Sequence, residues 1–170
     1  MKTHKLENSR AQRRESGFSL IELLIVVAII LVICAIAIPN FMRSRMAANE
    51  SATVQNMRNI VTADVVYGAT YGIGYANSLA TLGPPPGNGP PTIANSSLID
   101  DVLALGVKSG YSFTYVPGPV SSAGTIDSYT LNADPVNQGI TGNRHFYTDQ
   151  SGVIHQNPSA LATVNDPPIG

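Results

Sequence analysis

The chain has 170 residues, a formal net charge of -1, a charged fraction of 12% and one cysteine, Cys34. Its length suits one domain with appendages, and so few charged residues are unusual for a soluble protein. A single cysteine excludes an intrachain disulfide, so the C-terminal tail must be held by packing.

Charge is unevenly distributed along the chain. The first 17 residues hold five basic and two acidic residues, whereas the chain beyond Met46 holds three basic and eight acidic residues. Phosphate backbones attract clusters of Lys and Arg, so the acidic C-terminal part is a poor candidate for a DNA-binding surface. We therefore expect no nucleic acid partner.

An uninterrupted apolar run from Leu23 to Ile38 is the first predicted element. With the residues from Phe18 to Glu22 it reaches the roughly 20 residues that a bilayer-spanning helix needs. The basic residues before it predict a cytoplasmic N-terminus and a translocated C-terminal part. Glu22 is a functional-site candidate, because a charge within hydrocarbon is costly unless it has a partner.

Three ordinary explanations of this run remain open. A secretory signal peptide with a cleavage site at Ala35–Ala37 would have a longer apolar region than usual, and Pro39 would follow two residues after the cut. A lipoprotein modified at Cys34 is disfavoured, because the bulky Ile33 precedes the cysteine where a small residue is expected. A plain membrane anchor explains the length but leaves Glu22 without a partner.

The order Gly17-Phe18-Ser19-Leu20-Ile21-Glu22, followed by the apolar run and Pro39, resembles the leader and N-terminal helix of type IV pilins and type II secretion pseudopilins. This resemblance implies that a prepilin peptidase cuts after Gly17 and methylates the new amine of Phe18. It also implies that Glu22 pairs with the Phe18 amine of a neighbouring subunit. An α-amino group is mostly cationic at neutral pH, which suits that pairing.

The resemblance further implies an inner-membrane precursor, with its N-terminus in the cytoplasm, that becomes a helical homo-oligomeric filament outside that membrane. Its partners would be the peptidase, an inner-membrane assembly platform and copies of itself. The expected roles are adhesion and twitching motility in a type IV pilus, without enzymatic activity, cofactor or bound metal.

Other functions remain as alternatives. A type II pseudopilin would bind Ca²⁺ in a C-terminal loop, but Asp134, Asp149 and Asp166 are scattered in the sequence and follow no EF-hand pattern. A DNA-uptake pilin and a membrane-tethered enzyme are the remaining candidates. His145 and His155 could approach each other across a hairpin, but two histidines alone are more often surface or packing residues than metal ligands.

The expected fold class is α+β, with one long helix on an antiparallel sheet of about four strands, and this is also the pilin fold that the resemblance implies. The boundaries are a leader at 1–17, the apolar half of the helix at 18–40, its amphipathic half at 41–72, a loop with a short helix at 73–110, and the sheet with the tail at 111–170. Pro39 removes a helical hydrogen bond, so we expect a kink or local melting there. The resemblance implies that this region unwinds on assembly.

Within the second half of the helix, Val54, Met57, Val61 and Val65 recur at helical spacing and predict a stripe facing the core. The glycines from Gly68 to Gly74 predict the end of the helix. A short helix is expected from an N-cap at Ser97 to Gly106.

Alternating residues predict strands at 111–115 and 129–133, and a hairpin joins 144–148 to 153–155 through a turn at Gly152. Tyr67, Tyr71 and Tyr75 are spaced four apart. We interpret them as packing against the sheet with solvated hydroxyls, rather than as an electron path.

Overall fold

The computed structural model describes residues 17–169. The basic residues of the expected leader therefore lie outside the described residues. The chain divides into two units, one ending at Pro39 and the other running from Asn40 onwards. The elements are, in chain order, α1 (Leu20–Tyr71), α2 (Leu79–Leu82), α3 (Asp101–Ala104), β1 (Val107–Lys108), β2 (Tyr111–Pro117), β3 (Tyr129–Pro135), β4 (His145–Asp149) and β5 (His155–Asn157).

The long helix ends where the glycines predicted. α1 stops at Tyr71, and the backbone of Gly72 takes a φ of 70°, a left-handed conformation that glycine adopts without strain. The N–H of Gly72 still donates to the carbonyl of Gly68 at 2.9 Å. The helix therefore closes with a glycine cap.

The stripe of α1 that faces the core differs from the predicted one. Met57 is fully buried as expected, but Val65 is 58% exposed. The buried face of α1 instead mixes the apolar Met57 and Ile60 with the polar Thr53 and Asp64 and with Tyr67. The apolar pattern missed this face because hydrogen bonds to the loops and the sheet, and not apolar character alone, decide which side of α1 is buried.

The sheet is an antiparallel meander of five strands in the order β1-β2-β3-β4-β5, which confirms the α+β class and adds one strand to the expected four. The added strand, β1, pairs Lys108 with Tyr111 through a turn of Ser109 and Gly110, both at positive φ. Two residues at positive φ define the type I′ turn that joins short hairpins. A two-residue strand is too short for alternation to reveal it.

The predicted strands β2 and β3 are confirmed by alternating burial. Their inward side chains, Tyr111, Phe113, Tyr129, Leu131 and Ala133, are all buried. The last hairpin is confirmed, but its second strand starts at His155 rather than at Val153. Gly152 has a φ of 71° in the turn, and its N–H donates to the Asp149 carbonyl at 3.0 Å.

Two corrections fall in the loop between the helix and the sheet. The N-cap of α3 is Asp100 and not Ser97, since an Asp100 carboxylate oxygen accepts from the N–H of Leu103 at 3.0 Å. Ser97 instead has a φ of 54°, and its N–H bonds to the carbonyl of Gly83 at 2.9 Å. The sequence also missed α2, which follows an N-cap at Ser78.

The tail after β5 is held without a disulfide. Ile169 N–H donates to the carbonyl of Ile154 at 2.9 Å, and the Asn132 side-chain amide donates to the Ala162 carbonyl at 3.1 Å. Ala162 itself is buried. Packing and hydrogen bonds thus return the tail to the sheet, as the single cysteine led us to expect.

Candidate functional site

The start of α1 carries the residues predicted to act in processing and assembly. Ser19 lies just before the helix, and its carbonyl accepts the N–H of Leu23 at 3.2 Å. A carboxylate oxygen of Glu22 accepts the Ser19 N–H at 2.9 Å. Because Glu22 reaches back to the residue that precedes the helix, this is one half of a capping box. The Ser-x-x-Glu spacing at 19–22 is the sequence signal for this contact.

Both sides of the predicted cleavage position are open. Phe18 is 85% exposed, and a Cβ placed on Gly17 would meet nothing within 4 Å. Gly17, Phe18 and Ser19 precede the helix, so the Gly17–Phe18 peptide is in non-helical backbone. The predicted contact between Glu22 and a neighbour's Phe18 amine joins two chains, and it stays a prediction.

The apolar part of α1 presents large side chains on all its faces. By length and composition this helix could cross a membrane, and its apolar stretch is not buried within the chain, but a signal sequence near the N-terminus meets the same description. The exposed apolar residues include Leu20, Ile21, Leu23, Leu24, Ile25, Val26, Val27, Ile29, Ile30, Leu31, Val32, Ile33, Ile36 and Ile38. A surface of this kind needs lipid or protein around it.

Pro39 lies inside α1 and not at a helix end. Proline has no N–H to donate to the carbonyl four residues earlier, that of Ala35. We expected a kink or local melting at Pro39. The helix continues on both sides of it, so melting is absent from this chain by itself, and the kink stays a prediction. Unwinding at Pro39 on assembly stays a prediction.

A second cluster ties α1 to the loop before β4. One Glu50 carboxylate oxygen accepts the backbone N–H groups of Asn143 at 2.8 Å and Arg144 at 3.2 Å, and the other accepts Arg144 Nε at 2.7 Å. Burial raises the pKa of Glu50. The bonds from Asn143 and Arg144 and the positive charge of Arg144 lower it, and together they hold the pKa below its usual value. Sequence reasoning missed this pair because its members are 94 positions apart.

A third cluster surrounds Asp64, which is completely buried in the second unit. Its Oδ1 accepts the Ala76 N–H at 3.0 Å and lies 3.2 Å from the Tyr115 hydroxyl, which also donates to the Ala76 carbonyl at 3.0 Å. Its Oδ2 has no hydrogen-bond partner. Burial raises the pKa of Asp64 to about 6, although the bonds from Ala76 and Tyr115 oppose that shift.

The tyrosines predicted to line the end of α1 do not form one row. The Tyr67 and Tyr71 rings are 4.9 Å apart, whereas Tyr75 contacts Tyr129 of β3 at the same centroid distance. Tyr75 thus packs against the sheet as expected. Tyr67 does not have the expected solvated hydroxyl, because that hydroxyl donates to the Ile93 carbonyl at 2.8 Å.

The two histidines each have a local partner. His145 Nδ1 is 2.7 Å from Asp134 Oδ1, and His155 Nδ1 is 2.6 Å from the Asp166 carbonyl. Asp149 accepts from the N–H of Ser151 at 2.9 Å. Within residues 17–169, no three His, Cys, Asp or Glu side chains gather as a metal would require. The arrangement favours structural roles for these side chains.

Comparison with known proteins finds one family and two curated relatives that resemble part of this chain. Residues 12–38 match the family of the prokaryotic N-terminal methylation motif. The chain is 47% identical over 55 residues to the type IV major pilin protein PilA of Myxococcus xanthus. It is 40% identical over 55 residues to the type IV wide pilus major component PilA4 of Thermus thermophilus. No solved structure matches the chain.

These matches cover 32% of this chain, 25% of the Myxococcus protein and 42% of the Thermus protein. They confirm the resemblance recognised in the sequence: the chain carries a prepilin methylation motif and is similar to type IV pilins over about a third of its length. The long helix followed by an antiparallel sheet is a pilin-like architecture.

Proposed function

We propose that this chain is a structural subunit of a type IV pilus filament. The observation that supports this most strongly is the exposed apolar helix that begins within the methylation motif, with Phe18 and Glu22 accessible at its start. Both relatives are named as pilus components. No enzymatic activity is part of the proposal.

The proposed course begins with an inner-membrane precursor whose leader, residues 1–17, stays on the cytoplasmic side. A prepilin peptidase removes it after Gly17 and methylates the Phe18 amine. An assembly platform then moves the subunit from lipid into a filament of identical subunits, in which residues 18–40 pack together and the part from 41 onwards forms the surface.

Glu22 sets the register of one subunit on the next in this proposal. An ionised carboxylate is costly in apolar surroundings unless a cation compensates it. Cleavage creates that cation at Phe18, the first residue of the processed chain. A correctly docked neighbour therefore removes two unfavourable charges at once, whereas a wrongly docked one leaves both.

The hydrogen bond from Ser19 to Glu22 determines how this should be tested. Glu22→Ala removes both the charge and the helix cap, so failed assembly in that variant alone would not identify the cause. Glu22→Gln keeps an oxygen that accepts the Ser19 N–H and removes only the charge. Glu22→Asp keeps the charge on a shorter side chain.

We expect normal leader removal in all three variants, measured by the mass of the membrane-bound protein. Surface fibres, counted by electron microscopy, should be lost or strongly reduced in Glu22→Ala and Glu22→Gln. Abundant normal fibres from Glu22→Gln would refute the charge pairing. Fibre loss in Glu22→Ala alone would assign Glu22 to helix capping.

A further inference from the structure

Asp64 is a buried carboxyl group that no basic side chain compensates. The described ion pairs join Lys108 to Asp100, Arg144 to Glu50 and His145 to Asp134, and Asp64 takes part in none of them. A buried carboxylate needs a cation or several donors to remain ionised without cost. Asp64 has donors to one oxygen only.

The groups around Asp64 provide no further compensation. Its neighbours along α1 and across the junction include tyrosines from α1, from the 72–76 segment, from β2 and from β3: Tyr67, Tyr75, Tyr115 and Tyr129. The only other titratable side chain in the adjoining cleft is the exposed Asp127, which is also acidic. None of these neighbouring groups therefore offsets a negative charge on Asp64.

The cluster also joins three parts of the second unit. Through Ala76, Asp64 fixes the segment that leaves α1, and that segment is fastened to the 118–128 loop by bonds of Tyr75 N–H to Ile126 O at 2.8 Å and of Ile126 N–H to Ile73 O at 3.1 Å. Tyr115 of β2 donates to the Ala76 carbonyl, so β2 is joined to the same segment. A change in the charge of Asp64 therefore acts where helix, loop and sheet meet.

We propose that Asp64 is a pH-sensitive latch, through which the second unit is more stable in mildly acidic than in neutral surroundings. When the carboxyl is protonated, the junction buries a neutral group. When it is ionised, the charge remains buried with one oxygen unpartnered, which favours opening of the 72–76 segment. The latch is independent of the proposed filament function.

The sign and size of the effect follow from proton linkage. The pKa of Asp64 is raised from 3.8 to about 6 in the folded chain, so the folded state binds more protons and its stability falls as pH rises between those values. Between about pH 5 and about pH 7.5 the unfolding equilibrium constant should rise roughly tenfold.

The test uses the full chain in a non-ionic detergent, with hydrogen exchange and thermal unfolding measured at about pH 5 and about pH 7.5. Asp64→Asn keeps the shape and removes the titration. Asp127→Asn removes an exposed carboxyl from the same cleft and is the matched control. We expect the opening constant of the Ala76 amide, corrected for intrinsic exchange, to rise with pH in the unmodified chain and in Asp127→Asn, and to be constant in Asp64→Asn.

If the opening constant of the Ala76 amide kept the same pH dependence in Asp64→Asn, the proposal would be overturned. Because that variant could fail to fold, the side-chain carboxyl carbon of Asp64 is also to be titrated by NMR in the unmodified chain. A midpoint near 6 is expected, and a midpoint at or below 3.8 would overturn the latch.

Discussion

Arg144 Nε lies 2.7 Å from Glu50 Oε2 and joins the middle of α1 to the start of β4 across 94 positions of sequence. The Arg144 guanidinium also donates to Gln156 Oε1 at 2.7 Å and lies 5.4 Å from the centre of the Phe146 ring. Through Arg144, Glu50 of α1 is thereby linked to both β4 and β5. The pair fixes where the helix meets the sheet.

Glu50→Gln should destabilise the second unit. The substitution removes the charge that Arg144 and the Asn143 N–H both contact, and the cost should be about 1–2 kcal/mol after allowance for the partly exposed guanidinium. Thermal unfolding near neutral pH measures it. Asp101→Asn, which changes an exposed carboxyl group, is the control and should leave the midpoint nearly unchanged.

The same pair predicts acid sensitivity. Since the pKa of Glu50 is lowered in the folded chain, its contribution is present above the unfolded value of 4.5 and is lost as pH falls through the folded value. Unfolding scans below about pH 4.5 should show a loss of stability that is smaller in Glu50→Gln. An equal loss in both proteins would contradict this role of Glu50.

Gly142→Ala should strain the loop before β4. A Cβ at this position would lie 2.6 Å from Cζ of Tyr111, a fully buried ring whose hydroxyl donates to the Arg144 carbonyl at 2.8 Å. Overpacking of this kind costs about 1–3 kcal/mol. Gly89→Ala, where an added Cβ meets nothing within 4 Å, is the matched control. Equal melting temperatures for the two variants would argue against the contact.

Asp166→Asn should loosen the C-terminal tail. Asp166 Oδ2 accepts the Thr163 N–H at 2.7 Å, and Oδ1 accepts the Asn157 side-chain amide at 2.8 Å. The Thr163 N–H and the Asn157 amide lower the pKa of Asp166, so its contribution is lost as pH falls through that lowered value. Limited proteolysis should cleave the tail of Asp166→Asn faster than that of Asp127→Asn. Identical rates would show that packing around Ala162 suffices.

The sequence predicted the elements whose signals are local. A continuous apolar run predicted the first half of α1, glycines predicted its end, and alternating residues predicted β2 and β3. The wrong predictions concern residues whose partners lie farther away in the sequence. Ser97 was expected to cap α3, but it bonds to Gly83 and leaves that role to Asp100.

The buried polar groups of the second unit were beyond such patterns. Nothing local marks Asp64 as buried, because it becomes so only when β2 brings Tyr115 and the 72–76 segment brings Ala76 to it. Glu50 likewise acquires its environment from Asn143 and Arg144. The Glu22 cap was different, since its spacing from Ser19 was visible in the sequence.

We propose that α1 becomes an assembly element once the leader is removed. Mass spectrometry of the intact exported protein, with fragmentation from its N-terminus, tests this role most directly. We predict a chain that begins at Phe18 and carries one methyl group on its amine. A chain that begins after Ala37, or that retains residues 1–17, would contradict the account.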